Sequence, residues 1–306
     1  MSTASTRHRQ LYTPPTIILP DPPPPPSPMG LIAATGRLPV MVAMGMKNAG
    51  HPVHCVSLGG VHDAELEAWC DTISAVPALG IKSWIRKLRR HGVEHAVMVG
   101  RIDKASLLHS WTNALRNLPD ILAFSIYWRL RKDRRSHRVL ASVSDVLAER
   151  GILLIDSTAH IPDQLAATGV MTKSTPSIVQ QNDIDFGWPI LQEMLRLDIG
   201  QAIAVNRGDV VSVEAVEGTD RMIARTGELC SAKGWTLMKA ARAGHDRRAD
   251  VPTVGPQTIQ TLHEAGGRCL ALAADDVIIV DKAETIALAD KLGVAIIGIP
   301  RAPLAS

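Results

Sequence analysis

Short apolar runs that alternate with helical patterns dominate the chain between residues 29 and 155. Strands that are buried on both faces of a sheet have continuous apolar sequences, and the helices between them cover the faces of a parallel sheet. Five runs fit this description, of which the third is the weakest: 30–34, 53–58, 73–76, 96–99 and 152–155. The pattern predicts an α/β fold that begins with a Rossmann-like parallel-sheet domain.

The second half of the chain has the composition of another α/β domain. We predict a hairpin around Arg207 and Gly208, and a helix that begins at Thr219. Further helices are expected at 184–196 and 256–265, and further strands at 236–241, 269–273, 277–280 and 295–299. The stretch 167–176 is polar and loop-like. We therefore expect a nucleotide-binding-like domain at 29–168 and a C-terminal α/β domain at 172–306.

Residues 1–28 differ in composition from the rest, because nine of the twenty prolines of the chain lie there. Such a run cannot form a helix or a central strand and favours polyproline II. We expect a disordered tail that precedes the folded chain. Two alternatives are a true start at Met29 and a ligand for a domain of the SH3 or WW type.

Charge and cysteine usage exclude several classes of protein. The 33 basic and 30 acidic residues give a net charge of +3, and aromatic residues are only 3% of the chain, so a nucleic-acid binder is disfavoured. The four cysteines form no C-x-x-C pair, which argues against a zinc site or a disulfide framework and for a reducing, cytoplasmic location. No apolar run is long enough for a transmembrane helix or a signal peptide.

Two basic stretches, 82–90 and 129–138, remain to be explained. The ordinary interpretation is a pair of solvated helix faces. An anionic membrane surface and a nucleic acid are the alternatives. The aromatic residues Trp84, Tyr127 and Trp128 give slight support to the membrane, although Tyr127 and Trp128 also suit a buried helix.

The turn after the first strand is a candidate phosphate site. Gly30 begins this strand, and Gly36 precedes a helix whose free backbone N–H groups would suit an anion. The dinucleotide fingerprint G-x-G-x-x-G is absent, and no acidic residue follows the second strand, so an NAD-dependent dehydrogenase is disfavoured. A simple tight turn at Gly36 is an equally good interpretation.

Two acidic segments lie at helix starts in the second half. Glu214, Glu217 and Asp220 surround the Gly218–Thr219 turn. Carboxylates beside free helix N–H groups would suit a hydrated divalent cation that faces a phosphate, although Asp220 would also simply complement the helix dipole. The loop 245–255 contains both aspartates and arginines, which would suit a metal and a phosphate together or an ordinary salt-bridged surface.

These segments resemble those of a known family, the UDP-2,3-diacylglucosamine pyrophosphatases of lipid A biosynthesis that are unrelated to the calcineurin-like enzymes. The motifs are at 30–39, 197–201, 214–220 and 246–255, and the likeness extends from residue 29 to about residue 300. The resemblance implies hydrolysis of a lipid-linked UDP-sugar to UMP and 2,3-diacylglucosamine 1-phosphate. It also implies dependence on Mg²⁺, two α/β domains and a homodimer formed through the C-terminal domain.

The same resemblance implies roles for individual residues. Asp250 matches the aspartate that is essential in the family, and Asp246, Arg248 and Lys239 match further residues of its motifs. The sequence departs from the pattern at Ala249, which replaces a phenylalanine, and at 34–35, where the family has consecutive glycines. The C-terminal motif is therefore the better preserved, and altered acyl or sugar preference is one reading of the changes.

The chemistry of phosphoanhydride hydrolysis suggests different roles for these residues. We expect Asp250 to hold Mg²⁺ or Mn²⁺, with Asp246, Glu217 and Asp220 as further candidate ligands, because hard cations prefer oxygen. Arg248 and Lys239 would steady the diphosphate. The candidate substrate-binding residues are Gly30, Gly36, Gly218 and Thr219. The acyl chains would need an apolar groove, which we place at the domain interface.

Two further functions remain open from the sequence alone. The first is a non-catalytic nucleotide- or lipid-binding protein that retains the fold, and the second is a nucleic-acid binder. A lipid substrate would bring the enzyme into peripheral contact with the inner membrane from the cytoplasm.

Overall fold

The computed structural model describes residues 19–100, 120–129, 136–242, 244–248 and 251–300. Two α/β domains follow one another along the chain, as the apolar pattern predicts. Residues 101–119 and the arginine-rich stretch 130–135 lie outside the described residues. Within the described ranges, no helix is both long enough and apolar enough to cross a membrane.

The N-terminal domain contains a five-stranded parallel sheet in the order β3-β2-β1-β4-β5. Its strands are β1 (Met29–Ala33), β2 (Val53–Leu58), β3 (Thr72–Val76), β4 (His95–Val99) and β5 (Leu153–Leu154). The described helices are α1 (Arg37–Asn48), α2 (Ile81–Arg89), α3 (Ile121–Arg129) and α4 (Ser136–Ala148). The Rossmann-like prediction is confirmed, since the strand order reverses at β1 as in doubly wound folds.

Both faces of this sheet are buried, which explains the uninterrupted apolar runs. Along β1, Leu31 and Ala33 pack with α1 on one face, whereas Ile32 packs with α2 and α4 on the other. Successive side chains of a strand alternate between faces, so each face needs apolar residues. The outer surfaces of α2 and α3 therefore point away from the sheet.

The C-terminal domain contains a six-stranded mixed sheet in the order β6-β13-β11-β9-β7-β8. Its strands are β6 (Gly169–Val170), β7 (Ala202–Asn206), β8 (Asp209–Val213), β9 (Thr236–Lys239), β11 (Cys269–Ala273) and β13 (Ala295–Ile299). Strands β9, β11 and β13 are parallel, and β6, β7 and β8 are antiparallel to their neighbours. Two short strands, β10 (Thr253–Val254) and β12 (Ile278–Ile279), pair separately.

The helices of this domain are α5 (Ile178–Arg196), α6 (Thr219–Leu229), α7 (Pro256–Glu264) and α8 (Lys282–Leu292). Helix α5 begins six residues before its predicted start, because Ser177 and Gln180 form a reciprocal capping box. Helix α8 has no counterpart among the predicted elements. It buries only Thr285 and Ala289, so its sequence lacks a strong apolar period.

The end of the proline-rich segment is ordered, contrary to the expectation of a disordered tail up to residue 28. From Leu19 onward the chain is described, and the Ser27 amide donates to Pro24 O at 3.1 Å in a turn. Nδ1 of the buried His51 lies 3.0 Å from Ser27 O, so this segment packs on the N-terminal domain. The tail prediction therefore concerns residues 1–18, which lie outside the described residues.

Candidate active site

The carboxyl edges of the two sheets face one another across the domain interface. Asp156, two residues after the end of β5, accepts a hydrogen bond from Arg247 Nε at 2.7 Å. Arg37, the first residue of α1, places Nε 3.0 Å from Asp281 Oδ2 at the start of α8. Ile278, the first residue of β12, is buried in the core of the N-terminal domain. Ligands of open α/β sheets bind at such carboxyl edges.

The α1 start lies at the point where the strand order of the N-terminal sheet reverses. Gly36 precedes the helix with φ of +113°, no side chain caps the helix, and the space where a Cβ would be built is open. Gly100, after β4, has φ of +109°, and a Cβ there would lie 2.8 Å from the Ala34 carbonyl carbon, so both features favour glycine. In the described part of the chain the N–H groups of Arg37 and Leu38 therefore begin the helix at the domain interface without a side-chain cap, and Pro39 has no N–H group.

Gly30 has a different environment from Gly36. It lies inside β1, where a Cβ would come within 2.8 Å of Val93 and 2.9 Å of Ala96. The structure therefore shows a packing reason for glycine at this position, and Gly30 does not lie beside Gly36 on the open edge.

The carboxyl edge of the C-terminal sheet carries a chain of hydrogen bonds that we call the Lys239 cluster, formed by Lys239, Thr219, Glu214 and Thr253. Lys239 is 5% exposed and donates from Nζ to Thr219 Oγ1 at 2.7 Å and to Thr253 O at 3.1 Å. Thr219 Oγ1 in turn donates to Glu214 Oε1 at 3.0 Å. Charged groups are rarely buried unless partners satisfy them, and this cluster supplies those partners.

Strand pairing explains why residues so far apart in the sequence meet here. Lys239, at the end of β9, is paired with Ala202 at the start of β7, and the Glu214 amide donates to Ala202 O at 2.8 Å. A Cβ on Gly200 would lie 1.9 Å from Glu214 O, so only glycine lets the chain pass this edge. The 197–201 motif therefore positions Glu214.

Within the described residues, one oxygen of Glu214 has no hydrogen-bond partner. Glu214 is 9% exposed, and its Oε2 atom is buried without a hydrogen bond. Beside it, Gly218 starts α6 with φ of +84° and no side-chain cap, and the space where its Cβ would be built is open. Buried carboxylate oxygens normally have a partner, so this atom is suited to a bound cation or a donor on a ligand.

The other two acidic residues of this segment have different surroundings. Glu217 binds Arg225 Nη2 through Oε1 at 2.7 Å and the Ala215 amide through Oε2 at 3.1 Å, which occupies both oxygens. Asp220 is exposed in the first turn of α6. No group of three acidic, histidine or cysteine side chains that could hold a metal is found in the part of the chain that the structure describes.

The loop 244–248 ties the C-terminal domain to the N-terminal one. Asp246 forms a bidentate pair with Arg248, with Nη2 2.6 Å from Oδ2, and Arg248 Nη1 donates to Ser144 on α4. Asp246 raises the pKa of the Arg248 guanidinium by accepting its hydrogen bonds. These bonds place the two predicted site residues in an interdomain contact. Asp250 and Ala249 lie outside the described residues.

Arg247 is not among the residues predicted from the sequence, yet it makes more hydrogen bonds across the domain interface than Arg248 does. Across the interface it donates to Asp156 and to Thr158 Oγ1, the latter at 2.6 Å, and within its own domain it donates to Asp276 at 3.3 Å. No feature of the sequence distinguishes it from Arg248, because the partners lie more than 80 residues upstream or almost 30 downstream. The role of Lys239 has a clearer signal, since it is the one charged residue in the apolar run 236–241.

A cavity of about 530 Å³ also lies between the domains. Its walls are α1, the segment that joins the domains and the start of α8. Met41, Met44 and Ile161 are apolar, but Asp163 and Glu284 are charged. The lining is therefore mixed, and nothing in it marks the apolar groove that we expect for acyl chains.

Comparison with known proteins agrees with this two-domain division. Residues 28–164 match the LpxI N-terminal domain, and residues 167–297 match the LpxI C-terminal domain. The chain is also 29% identical over 280 residues to a protein of Caulobacter vibrioides, UDP-2,3-diacylglucosamine pyrophosphatase LpxI. This alignment covers 89% of the present chain and 97% of that protein.

Proposed function

The chain belongs to the LpxI family, and on that basis we propose that it hydrolyses the pyrophosphate bond of UDP-2,3-diacylglucosamine to UMP and 2,3-diacylglucosamine 1-phosphate. Membership in this family makes the chain a hydrolase that acts on a phosphoanhydride. The roles that we assign to individual residues and to a metal rest on the geometry of the site together with the family resemblance.

The observation that carries the proposal is the Lys239 cluster on a sheet edge that faces the other domain. A diphosphate accumulates negative charge on its oxygens as the bridging bond breaks, and prepositioned positive groups stabilise that charge. The buried Lys239 ammonium and the bare start of α6 at Gly218 supply such groups. The bare start of α1 at Gly36 supplies another from the facing edge.

Each member of the cluster has a distinct task in this proposal. Lys239 donates a hydrogen bond to the Thr219 hydroxyl oxygen. This orients the hydroxyl so that it donates its proton to Glu214. Through its bond to Lys239, Thr219 therefore fixes the distance between the first turn of α6 and the end of β9. The N–H groups of that turn then bind a phosphate oxygen without needing to reorganise.

We propose that Mg²⁺ binds at this edge, with Glu214 Oε2 and Asp250 as protein ligands and phosphate oxygens of the substrate as the others. Mg²⁺ sites commonly use only one or two carboxylates together with substrate phosphates, so a preformed cage of three protein ligands is not required. The unpartnered oxygen of Glu214 fits this requirement, whereas both oxygens of Glu217 are occupied. When bound, the cation polarises the phosphate and neutralises its charge.

Asp250 remains our candidate for the essential carboxylate. It lies in the sequence between Arg248, which is bound to Ser144, and Thr253, whose carbonyl accepts from Lys239. Both ends of this short segment are therefore tied to residues at the domain interface. Asp246 and Arg248 are assigned to the same segment, where they hold its conformation.

The deciding experiment measures UMP release from UDP-2,3-diacylglucosamine in detergent micelles, with Mg²⁺ and with EDTA. Stoichiometric UMP and the sugar 1-phosphate, abolished by EDTA and restored by Mg²⁺ or Mn²⁺, are the expected result. Tight binding of the substrate with no turnover under any metal would instead identify a binding protein that retains the fold.

We also propose that the active form is a homodimer assembled through the C-terminal domain and that it works in the cytoplasm. The dimer follows from the family resemblance, and the cytoplasmic location follows from the cysteine pattern of the sequence. Sedimentation velocity of the full chain and of the separately expressed fragment 167–306 tests the first, since both should sediment as dimers if that fragment folds. Fractionation of cells that express the tagged chain tests the second.

A further inference from the structure

Helices α3 and α2 of the N-terminal domain expose large apolar side chains and basic side chains, respectively. On α3, the exposed positions are Ile121, Phe124 and Trp128, which we call the apolar ridge. Ile121 is 75% exposed, Phe124 56% and Trp128 59%. Spacings of three and four residues place all three on one face of the helix. Single exposed apolar residues are common, but a contiguous line of large ones marks an interaction surface.

The opposite side of α3 already packs against the hydrophobic core, so the apolar ridge is not needed for that purpose. Ile126 is buried among residues of α2 and α4, and Leu122 and Ala123 pack against the same cluster. The helix thus already has a complete buried face. Phe124 and Trp128 stack on each other outside it, with ring centroids 6.4 Å apart and planes 26° from parallel.

Helix α2 carries a matching line of charge. Lys82, Arg86 and Arg89 are exposed at spacings of four and three residues, and we call them the basic stripe. The helix has no acidic residue, while its buried face contains Trp84 and Leu88. Nothing within α2 neutralises the stripe, so its charge is available to an anionic partner.

The side chain of Asp120 joins the starts of the two lines. Its Oδ2 atom accepts from the Lys82 amide, and its Oδ1 atom accepts from the amides of Leu122 and Ala123. The Asp120 amide donates to the carbonyl of Leu79, whose side chain is 42% exposed. The first residue of the ridge is therefore fixed beside the first residue of the stripe, and the Asp120 carboxylate is used on backbone groups.

The apolar ridge and the basic stripe have a defined position relative to the candidate active site. Helix α2 follows β3, so its first turn lies at the carboxyl edge of the N-terminal sheet, as does the start of α1 at Gly36. The hydrogen bonds through Asp120 bring the start of α3 to the same edge. The apolar ridge and the basic stripe thus both begin on the side of the domain that carries the candidate active site.

We propose that the apolar ridge and the basic stripe together form a docking surface for an anionic lipid bilayer. Ile121, Phe124 and Trp128 would enter the interface between head groups and acyl chains, and Lys82, Arg86 and Arg89 would contact the phosphates beside it. Large apolar side chains on one helix next to lysine and arginine on another are complementary to that boundary. A single-stranded nucleic acid would use the charge and the aromatic rings but gives no reason for the exposed Ile121 and Leu79.

This inference does not depend on the catalytic proposal, because its test requires no turnover. The full chain is mixed with vesicles of phosphatidylglycerol and phosphatidylcholine, or of phosphatidylcholine alone, and the bound fraction is measured by flotation. We expect binding to the anionic vesicles, weaker binding to the neutral ones, and partial loss in high salt, because salt screens the stripe and not the ridge.

Two double variants separate the contributions. Arg86→Glu with Arg89→Glu should weaken binding to anionic vesicles at least about tenfold, since each basic residue near such a surface contributes about fivefold. Ile121→Gln with Phe124→Gln should weaken it by a similar factor and, unlike the charge variant, in high salt as well. Both pairs are exposed, so the melting temperature should remain within a degree or so of that of the wild type.

Matched controls change the same residue types elsewhere. Lys233→Glu with Lys291→Glu makes the same change in net charge, and Ile178→Gln removes an isoleucine that is 83% exposed on α5. Both should bind vesicles as the wild type does. UMP release from micellar substrate provides a further readout, and it should be unchanged in the ridge and stripe variants.

Three outcomes would overturn the proposal. The first is equal vesicle binding by the ridge, stripe and control variants. The second is binding of a single-stranded oligonucleotide that outcompetes the vesicles and is lost in the stripe variant. The third is conversion of a dimer into monomers by Ile121→Gln with Phe124→Gln in sedimentation velocity, since the ridge would then be covered by a second copy of the chain.

Discussion

Lys239 Nζ lies 2.7 Å from Thr219 Oγ1, and this one bond connects the end of a central strand to the first turn of α6. The threonine hydroxyl accepts from the lysine and donates to Glu214, so it cannot be removed without leaving two buried charged groups short of a partner. Such groups cost stability when they are unpaired, and the geometry of the helix start depends on them.

Thr219→Val should therefore lower both stability and activity. Valine has nearly the same shape but no hydroxyl, and we expect a loss of about 1–3 kcal/mol in the free energy of unfolding. UMP release should fall at least about tenfold, because the α6 start is no longer held. Thr261→Val is the control, since that hydroxyl binds Gln257 on the surface of α7. Equal melting curves and rates for the two variants would contradict the role of Thr219.

Glu214→Gln should weaken the dependence on Mg²⁺ rather than the fold. The amide keeps the shape of the carboxylate and still accepts from Thr219, but its charge is lost. We expect the Mg²⁺ concentration for half-maximal UMP release to rise about tenfold or more, and the melting temperature to stay close to that of the wild type. Glu217→Gln is the comparison, since Glu217 pairs with Arg225. If only Glu217→Gln shifts the Mg²⁺ requirement, the assignment to Glu214 is wrong.

Asp250→Asn should abolish turnover and preserve binding of the lipid nucleotide. The change removes a negative charge without changing volume, so a loss of about 10²–10³-fold in kcat is expected, or about 3–4 kcal/mol. Asp209→Asn, at an exposed position of the β7–β8 hairpin, is the control. Retention of more than about a tenth of wild-type kcat by Asp250→Asn would falsify its catalytic role. A purely structural role would instead show as a lower melting temperature with a normal rate per folded molecule.

Stability should decrease as the pH falls from about 6.5 towards 4, and His160 should contribute to that slope. Burial, together with His51 at a ring distance of 5.3 Å, lowers the pKa of His160 to about 4. The unfolded chain then binds a proton at a higher pH than the folded one, so protonation favours unfolding within this window. The partly exposed ring limits the effect to about 1 kcal/mol. Urea unfolding at several pH values should show a shallower slope for His160→Gln, and parallel curves would contradict the assignment.

The N-terminal domain was predictable because burial on both faces leaves a direct trace in the sequence. Its central strands β1, β2 and β4 are buried along almost their whole length and therefore have continuous apolar sequences, which are not typical of loops. Helix α8 was not predictable by the same means, because it buries only Thr285 and Ala289 against its neighbours. Its position depends on the pair between Arg37 and Asp281, which joins residues from different domains.

The residues of the candidate site were largely predictable from the sequence, but the partners that their side chains contact were not. Lys239 and Thr219 were selected from the sequence, and the structure brings them together. The sequence pattern favours Glu217 as a metal ligand, whereas the geometry favours Glu214, because Arg225 binds Glu217 and this contact leaves no trace in the sequence. Likewise, Asp246 and Arg248 have the expected chemistry, but their hydrogen bonds run to each other and to Ser144.

Two truncations of the proline-rich segment should have different effects on stability. Removal of residues 1–18 should leave the melting temperature unchanged. Removal of residues 1–28 should lower it by several degrees, which corresponds to about 1–3 kcal/mol in a chain of this size. The longer deletion takes away Ser27 O, the hydrogen-bond partner of the buried His51. It also places a charged amino terminus at Met29, which is fully buried at the start of β1.

Thermal unfolding of the full chain and both truncated forms provides the test, with UMP release per folded molecule as the second readout. The rate should be the same in all three at a temperature where all are folded, because the segment packs on the amino edge of the sheet, away from the site. Identical melting curves for the two truncations would show that the contacts of Ser27 do not stabilise the domain and that Met29 is an adequate start of the folded chain.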